Sequence, residues 1–159
     1  MTTKIKIQLG LIVFMAVFAL SLIIAQGASP DAVPFFALKR VQEKVFLNFK
    51  SSPQEKVDYM RGLLNNRLAE LKSQVNRKSY GYILPSSLRY STLAGQITEM
   101  VMENNMGDQL KDIKAQFVNH QKVLMEIYII YPKNTENMEY KYIEDDINYL
   151  KIYLDKLGE

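Results

Sequence analysis

Residues 52–78 constrain this chain more than any other stretch, because they write out a helix start and one apolar edge. Ser52 is placed to N-cap a helix, Pro53 takes the first helical position and Glu55 the third. Ser52 and Glu55 then form a capping box, each satisfying a backbone N–H that the first turn leaves orphaned. Val57, Met60, Leu64, Leu68, Leu71 and Val75 follow at steps of three and four, which draws a single apolar stripe. A helix with one oily edge must bury it, so the rest of the chain is expected to supply matching edges. Gly62 is a weak position, costing about 1 kcal/mol relative to alanine unless a close neighbour needs the room.

The matching edges are visible on both sides. Over 35–49, Phe35, Leu38, Val41 or Gln42, Val45 and Phe49 share a side that Phe36 and Phe46 widen. This reads as a core helix or, because Lys39, Arg40 and Lys44 are interleaved, as a helix lying on a membrane surface. Residues 50–52 form the turn into the capped helix. Glycine, proline and serine break the pattern over 79–87, where Tyr80, Tyr82 and Ile83 are expected to fold back. Ser86 or Ser87 is placed to cap a helix over 88–104 with Leu93, Ile97, Met100 and Val101 inward. After a turn at 104–107, Asp108 is placed to cap a helix over 108–130. That helix keeps a near-strict heptad of Leu110, Ile113, Phe117, His120, Leu124, Ile127 and Tyr131, and Pro132 stops it. Past a polar loop at 133–137, the last helix, 136–157, repeats the pattern with Tyr140, Ile143, Ile147, Leu150, Leu154 and Leu157. Heptad helices joined by short loops pack as shallow-angled antiparallel neighbours. No segment sustains period-two alternation. The expected fold is all-α, a four- to five-helix antiparallel bundle over 35–159.

Lys4 and Lys6 precede a 17-residue apolar run, 9–25, interrupted by glycine and serine. Positive charge on that side holds it in the cytoplasm and sends the remainder outward. The run is long for a signal-peptide core and short for a span of about 20 residues. Ala25 and Gly27 occupy the −3 and −1 positions of a cut before Ala28. Residues 1–27 are therefore a signal peptide, the favoured reading, or an anchor crossing the membrane through 5–25 if uncleaved. Residues 28–34 form a linker whose prolines oppose helix. The domain is expected to be exported: periplasmic, extracellular, or anchored in the cytoplasmic membrane with its C-terminal part outside. Cysteine is absent, which excludes disulfides and thiolate chemistry and leaves packing to stabilise the fold. The formal charge of +3 conceals a split: 11 basic and 4 acidic residues over 34–90, then 7 and 12 over 91–159. The two halves can face one another, or the first can present a basic patch to an anionic envelope polymer. Export argues against nucleic acid as a partner.

Few residues suggest chemistry. His120 is the only histidine and falls on the apolar seam, with Leu124 where a second metal ligand would stand. It has no evident nucleophile or orienting carboxylate in its own helix. The reading is a hydrogen-bonded core histidine or one at a frayed edge, with pH sensing the rarer alternative. Glu144, Asp145 and Asp146, with Glu139 nearby, fall in the first half of the last helix, where negative charge favours the helix dipole. They lack the alternating ligands and glycine of a calcium loop. Tyr142, Tyr149 and Tyr153 make a second stripe on that helix, either widening its buried face or offering a partner or glycan-stacking surface. No glycine-rich phosphate loop, nucleophile elbow or paired-histidine motif is present. No catalytic, metal or cofactor residue is expected, nor a small-molecule substrate, and an enzyme is not expected.

The export segment and proline linker, followed by PFFALKRVQEKVFLNF and then SPQEKVDYMRGLLNNRLAEL, resemble a bacterial family catalogued as domain of unknown function 5667. Pro34, Phe35, Phe36, Leu38, Lys39, Glu43, Pro53, Glu55, Lys56, Arg67, Leu68, Ala69, Glu70 and Leu71 match its outline. The resemblance covers about residues 34–75. Gly62 and the pair Asn65-Asn66 depart from the helix-favouring residues expected there. It implies an extracytoplasmic helical module of unassigned activity, sometimes found beside anti-sigma-factor-like proteins, and carries over no catalytic residue. The functional expectation is an envelope interaction or scaffold protein whose partner is a protein or another envelope component. The alternative is an extracytoplasmic stress chaperone or sensor.

Overall fold

The computed structural model describes residues 12, 13, 15–21, 23, 33–133 and 138–158. The chain divides into two compact units, Met1–Phe49 and Lys50–Glu159. Among the described residues all regular structure is helical, as the apolar periods require. The expected leader or anchor falls largely outside the described residues, as do the proposed cut before Ala28 and most of the linker. No helix among the described residues is long and apolar enough to cross a membrane.

The first unit contains helix α1, Val33–Asn48. Pro34 does not oppose it but lies in its first turn, where a missing N–H leaves no intrahelical bond unmade. The core reading fails for most of its apolar stripe: Phe35, Val41, Val45, Phe46 and Phe49 are all exposed.

The second unit is built from α2 (Pro53–Asn76), a 3-10 turn (Tyr80–Tyr82), α3 (Ile83–Glu103), α4 (Gly107–Ile130) and α5 (Tyr140–Lys156). The capping box at Ser52 and Glu55 is formed, and all six stripe residues of α2 are buried. Helix α3 begins five residues earlier than expected. The 3-10 turn feeds directly into it, and Pro85 is tolerated as its third residue, still among the orphan N–H positions. Ser86 and Ser87 are therefore not caps but buried helical residues, Ser86 accepting from Gln74 Nε2 at 2.8 Å. Asp108 does not cap α4 either; the helix starts at Gly107, and Asp108 lies in its first turn, where its charge favours the dipole. Met100 is half-buried instead of inward, while Leu93, Ile97 and Val101 are core. In α5, Ile143, Leu150 and Leu157 are buried, whereas Tyr140, Ile147 and Leu154 are half-buried.

Cross-helix hydrogen bonds give the directions. Gln74–Ser86 pairs the end of α2 with the start of α3; between α4 and α5, Tyr128 meets Tyr140 while the earlier Gln121 Nε2 donates to the later Ile147 carbonyl at 3.2 Å, so each of these pairs is antiparallel. Between α2 and α4 the partners advance together, Asp58 with Gln109, Asn65 with Gln116 and Lys72 with Glu126, so these helices run parallel. The same holds for α3 and α5, where Ser87 Oγ donates to the Tyr142 carbonyl and Tyr153 Oη to the Ser91 carbonyl. Antiparallel packing thus holds within two helical hairpins, α2–α3 and α4–α5, and becomes parallel between them. Around the bundle the order is α2, α3, α5, α4, leaving α3 and α4 on a diagonal although a short turn joins them.

The α2 and α3 C-termini close in the same way. Ser79 N–H reaches the Gln74 carbonyl (2.9 Å) and Met106 N–H the Val101 carbonyl (3.0 Å), the six-to-one bond of a Schellman motif. Each needs a left-handed residue, supplied by Lys78 (φ 58) and Asn105 (φ 50). Asparagine tolerates that region, but lysine is strained there. Lys78 is exposed and its backbone bonds do not involve its side chain. Lys78→Gly should stabilise the protein by about 1 kcal/mol in urea unfolding; a loss of stability would show that the turn is built differently.

Candidate functional site

The parallel pair α2 and α4 does not close along its length. Gly62 and Ala115 are among the residues that line an open cleft of about 570 Å³ in that seam. A Cβ built on Gly62 would meet nothing within 4 Å, so this glycine makes no room for a neighbour; it leaves the cleft open. The walls are polar and mutually fixed. Arg61 Nε donates to Gln116 Oε1 (3.0 Å), and Gln116 Nε2 donates back to the Arg61 carbonyl (3.1 Å) and to Asn65 Oδ1 (2.7 Å). Asp58 stands 3.6 Å from the Arg61 guanidinium and accepts from Gln109 Nε2 at 3.3 Å. Asp112 and Asn119 complete the mouth.

His120 forms the inner end of the cleft. Its Nε2 lies 2.8 Å from Asn65 Oδ1 and its Nδ1 2.9 Å from the Tyr90 hydroxyl. An amide oxygen only accepts, so Nε2 carries the proton and donates, while Nδ1 accepts from Tyr90. Burial pushes the His120 pKa down to about 4, which keeps the ring neutral at physiological pH. With both nitrogens engaged it is the hydrogen-bonded core histidine the seam position suggested. Among the described residues no group of three histidine, aspartate or glutamate side chains is arranged to hold a metal.

Behind Tyr90 lies a residue whose burial the sequence did not give away. Asp146 is 1% exposed and points into the α3–α5 seam rather than joining Glu144 and Asp145 in water. Burial raises its pKa to about 8, and the nearby hydroxyls of Ser87 and Ser91 only partly offset this. Those hydroxyls donate to the Tyr142 and Ser87 carbonyls, and neither carboxyl oxygen has a hydrogen-bond partner. The surrounding desolvation, with the charge of Asp146 added, pushes the Tyr90 hydroxyl well above the usual phenol range. Heptad spacing alone would have placed position 146 beside Ile143 and Leu150, but its carboxylate argued for solvent.

The tyrosine stripe of α5 divides. Tyr149 is exposed and stacks on Tyr153 with ring centroids 6.2 Å apart, while Tyr142 is half-buried. Tyr153 packs against Gly95 of α3 so closely that a Cβ there would lie 2.9 Å from its hydroxyl. The α2 residues that carried the family resemblance are structural: Leu68 and Leu71 are core, and Arg67 Nη1 meets both oxygens of buried Glu70 at 2.9 and 3.1 Å.

The family described as a domain of unknown function (DUF5667) matches residues 27–134, well beyond the stretch whose residues suggested it. The α2–α4 cleft lies wholly inside that match; α5, with Asp146 and the tyrosine stripe, lies outside it. No curated protein and no solved structure matches the chain.

The two perturbed groups give stability an unusual pH profile. Folded Asp146 keeps its proton up to about pH 8 while the unfolded chain releases it near 3.8, so its stabilisation is full in acid and lost as pH rises to 8. His120 acts oppositely between about 4 and 6.5, where only the unfolded chain is protonated. The two offset each other below 6.5, leaving the Asp146 slope alone above it. Unfolding free energy should therefore fall by about 1 kcal/mol per pH unit from 6.5 to 8, because both groups titrate at the ends of that window, and Asp146→Asn should flatten that limb. A flat wild-type profile over this window would contradict the burial of an uncompensated carboxyl.

Proposed function

The chain belongs to the DUF5667 family, and we propose that it is an exported, non-enzymatic helical module that recognises a protein or another component of the cell envelope. The observation that carries this reading is the open α2–α4 cleft, whose polar groups are held in place before any partner arrives. Preorganised hydrogen-bonding groups lower the ordering cost of recognition. The same bonds argue against catalysis, because His120, the natural general base, has both ring nitrogens engaged and a pKa far below neutrality. Export is supported by Lys4 and Lys6 ahead of the apolar run at 9–25. That segment serves as a signal peptide or as an anchor holding the domain outside the cytoplasmic membrane. The stacked pair Tyr149 and Tyr153, with Tyr142, offers a second, aromatic contact surface on α5. The chaperone alternative draws on exposed apolar residues such as Met102, Met125 and Ile129.

One experiment in the native envelope separates these readings. A photo-crosslinking residue at Asn119, on the cleft rim, should capture a discrete partner, and one at Lys122, on the outward face of α4, should not. Gly62→Met should fill the cleft and abolish that capture while leaving the fold about 0.5–1 kcal/mol more stable. Capture unaffected by Gly62→Met would remove the cleft from the account, and a smear of unrelated clients from both positions would favour the chaperone. The mass of the recovered chain also decides between cleavage before Ala28 and retention of the segment.

A further inference from the structure

We infer that α1 docks along the surface of an anionic lipid bilayer, with its exposed apolar edge in the interface. At 100° per residue, Val41, Val45, Phe49, Phe35 and Phe46 fall in that order within an arc of roughly 140°. Each of these side chains is exposed, and Phe49 is 77% exposed. Three phenylalanines and two valines on one open edge are far more than a water-facing helix carries without a covering surface.

Two observations point to lipid as that surface. Arg40 and Lys44 are exposed beside the apolar edge, and Glu43, the helix's one acidic residue, is half-buried, so the water-facing side is basic. An apolar edge bordered by cations is the arrangement that lies in a headgroup layer, with the rings reaching about 5–10 Å inward and the cations on lipid phosphates. The second observation is the segment just upstream. Ile12, Val17, Leu20 and Ile23 are each more than half exposed on helical backbone and require apolar cover of their own. Residues 26–32 are the only link between the apolar run and α1, a tether of about 25 Å at most. Retained as an anchor, that segment delivers α1 to the membrane at high effective concentration; after cleavage the apolar edge and its cations act alone. This inference rests on the envelope location proposed above and names one partner of the module, distinct from whatever fills the α2–α4 cleft.

The chain contains no tryptophan, so an indole introduced by Phe46→Trp in the full chain reports on α1 alone. With vesicles of phosphatidylcholine containing phosphatidylglycerol, the emission of that indole should shift to the blue and be quenched by brominated acyl chains; with phosphatidylcholine alone both effects should weaken. Adding Arg40→Ala with Lys44→Ala should shift the docking equilibrium roughly thirtyfold toward the undocked state. In a separate variant, Lys122→Trp, the emission should stay unquenched in the same vesicles. A chain that floats with vesicles while the F46W indole stays open to aqueous iodide overturns the inference and leaves the envelope reading intact. A blue shift that appears without lipid and grows with protein concentration assigns the edge to a second copy and also overturns it. Failure of the envelope reading would show separately, as loss of the cleft crosslink.

Discussion

The hydrogen bond from Tyr90 to His120 crosses the middle of the four-helix unit and ties α3 to α4, the two helices that face each other diagonally. Tyr90 is fully buried, so its hydroxyl has to find an acceptor inside the protein. A buried hydrogen bond of this kind adds only about 1 kcal/mol of net stability, but an unmade one costs about 1–3 kcal/mol. The asymmetry makes the contact a register device: any slip of α3 against α4 strands two polar groups in an apolar interior. His120 extends the line to Asn65, so one chain of bonds fixes α2, α4 and α3 together.

The cleft follows from that arrangement. Once His120 is held inward by Tyr90 and Asn65, the α2–α4 seam above it is lined by Gly62, Ala115 and amide side chains that bond to each other instead of interdigitating. The other seams are tighter. Between α2 and α3, Gln74 bonds Ser86, and Glu70 draws in Arg67 and Arg89; between α3 and α5, Tyr153 rests on Gly95. At the far end the α4–α5 hairpin is closed by Tyr140 against Tyr128 and Tyr131, each pair with ring centroids 6.2 Å apart, and Tyr131 also meets Tyr80 of the 3-10 turn at 4.7 Å. Asp146 is the exception to this pattern, a carboxyl in the core whose oxygens lack partners. It destabilises the protein increasingly as pH rises.

The sequence was most legible where one physical rule acted alone. The capped α2 and the heptad of α4 follow from periodicity and end chemistry, and the structure keeps both nearly residue for residue. Legibility ended where two rules competed. Pro85 and two serines argued for a break, yet first-turn tolerance of proline and a buried acceptor role for Ser86 let α3 start at Ile83. At Asp146 charge argued for water while spacing argued for core, and spacing prevailed. The aromatic spacing of α1 was legible but its destination was not, because an apolar edge does not say whether protein or lipid covers it. Helix order was beyond reach: short loops suggested sequence neighbours, whereas the polar pairing of α2 with α4 is a property of facing side chains. Gly62 reads in sequence as a flaw in the helix, and only the empty space beside it shows the cleft.

The register of α2, α3 and α4, and with it the cleft, depends on His120 being a neutral, doubly bonded strut and not a free base, and nitrogen-15 NMR of that single histidine reads this directly. The arrangement predicts a neutral ring with its proton on Nε2, holding that form until about pH 4. A ring that titrates near the ordinary value of 6.5, or carries its proton on Nδ1, would contradict it.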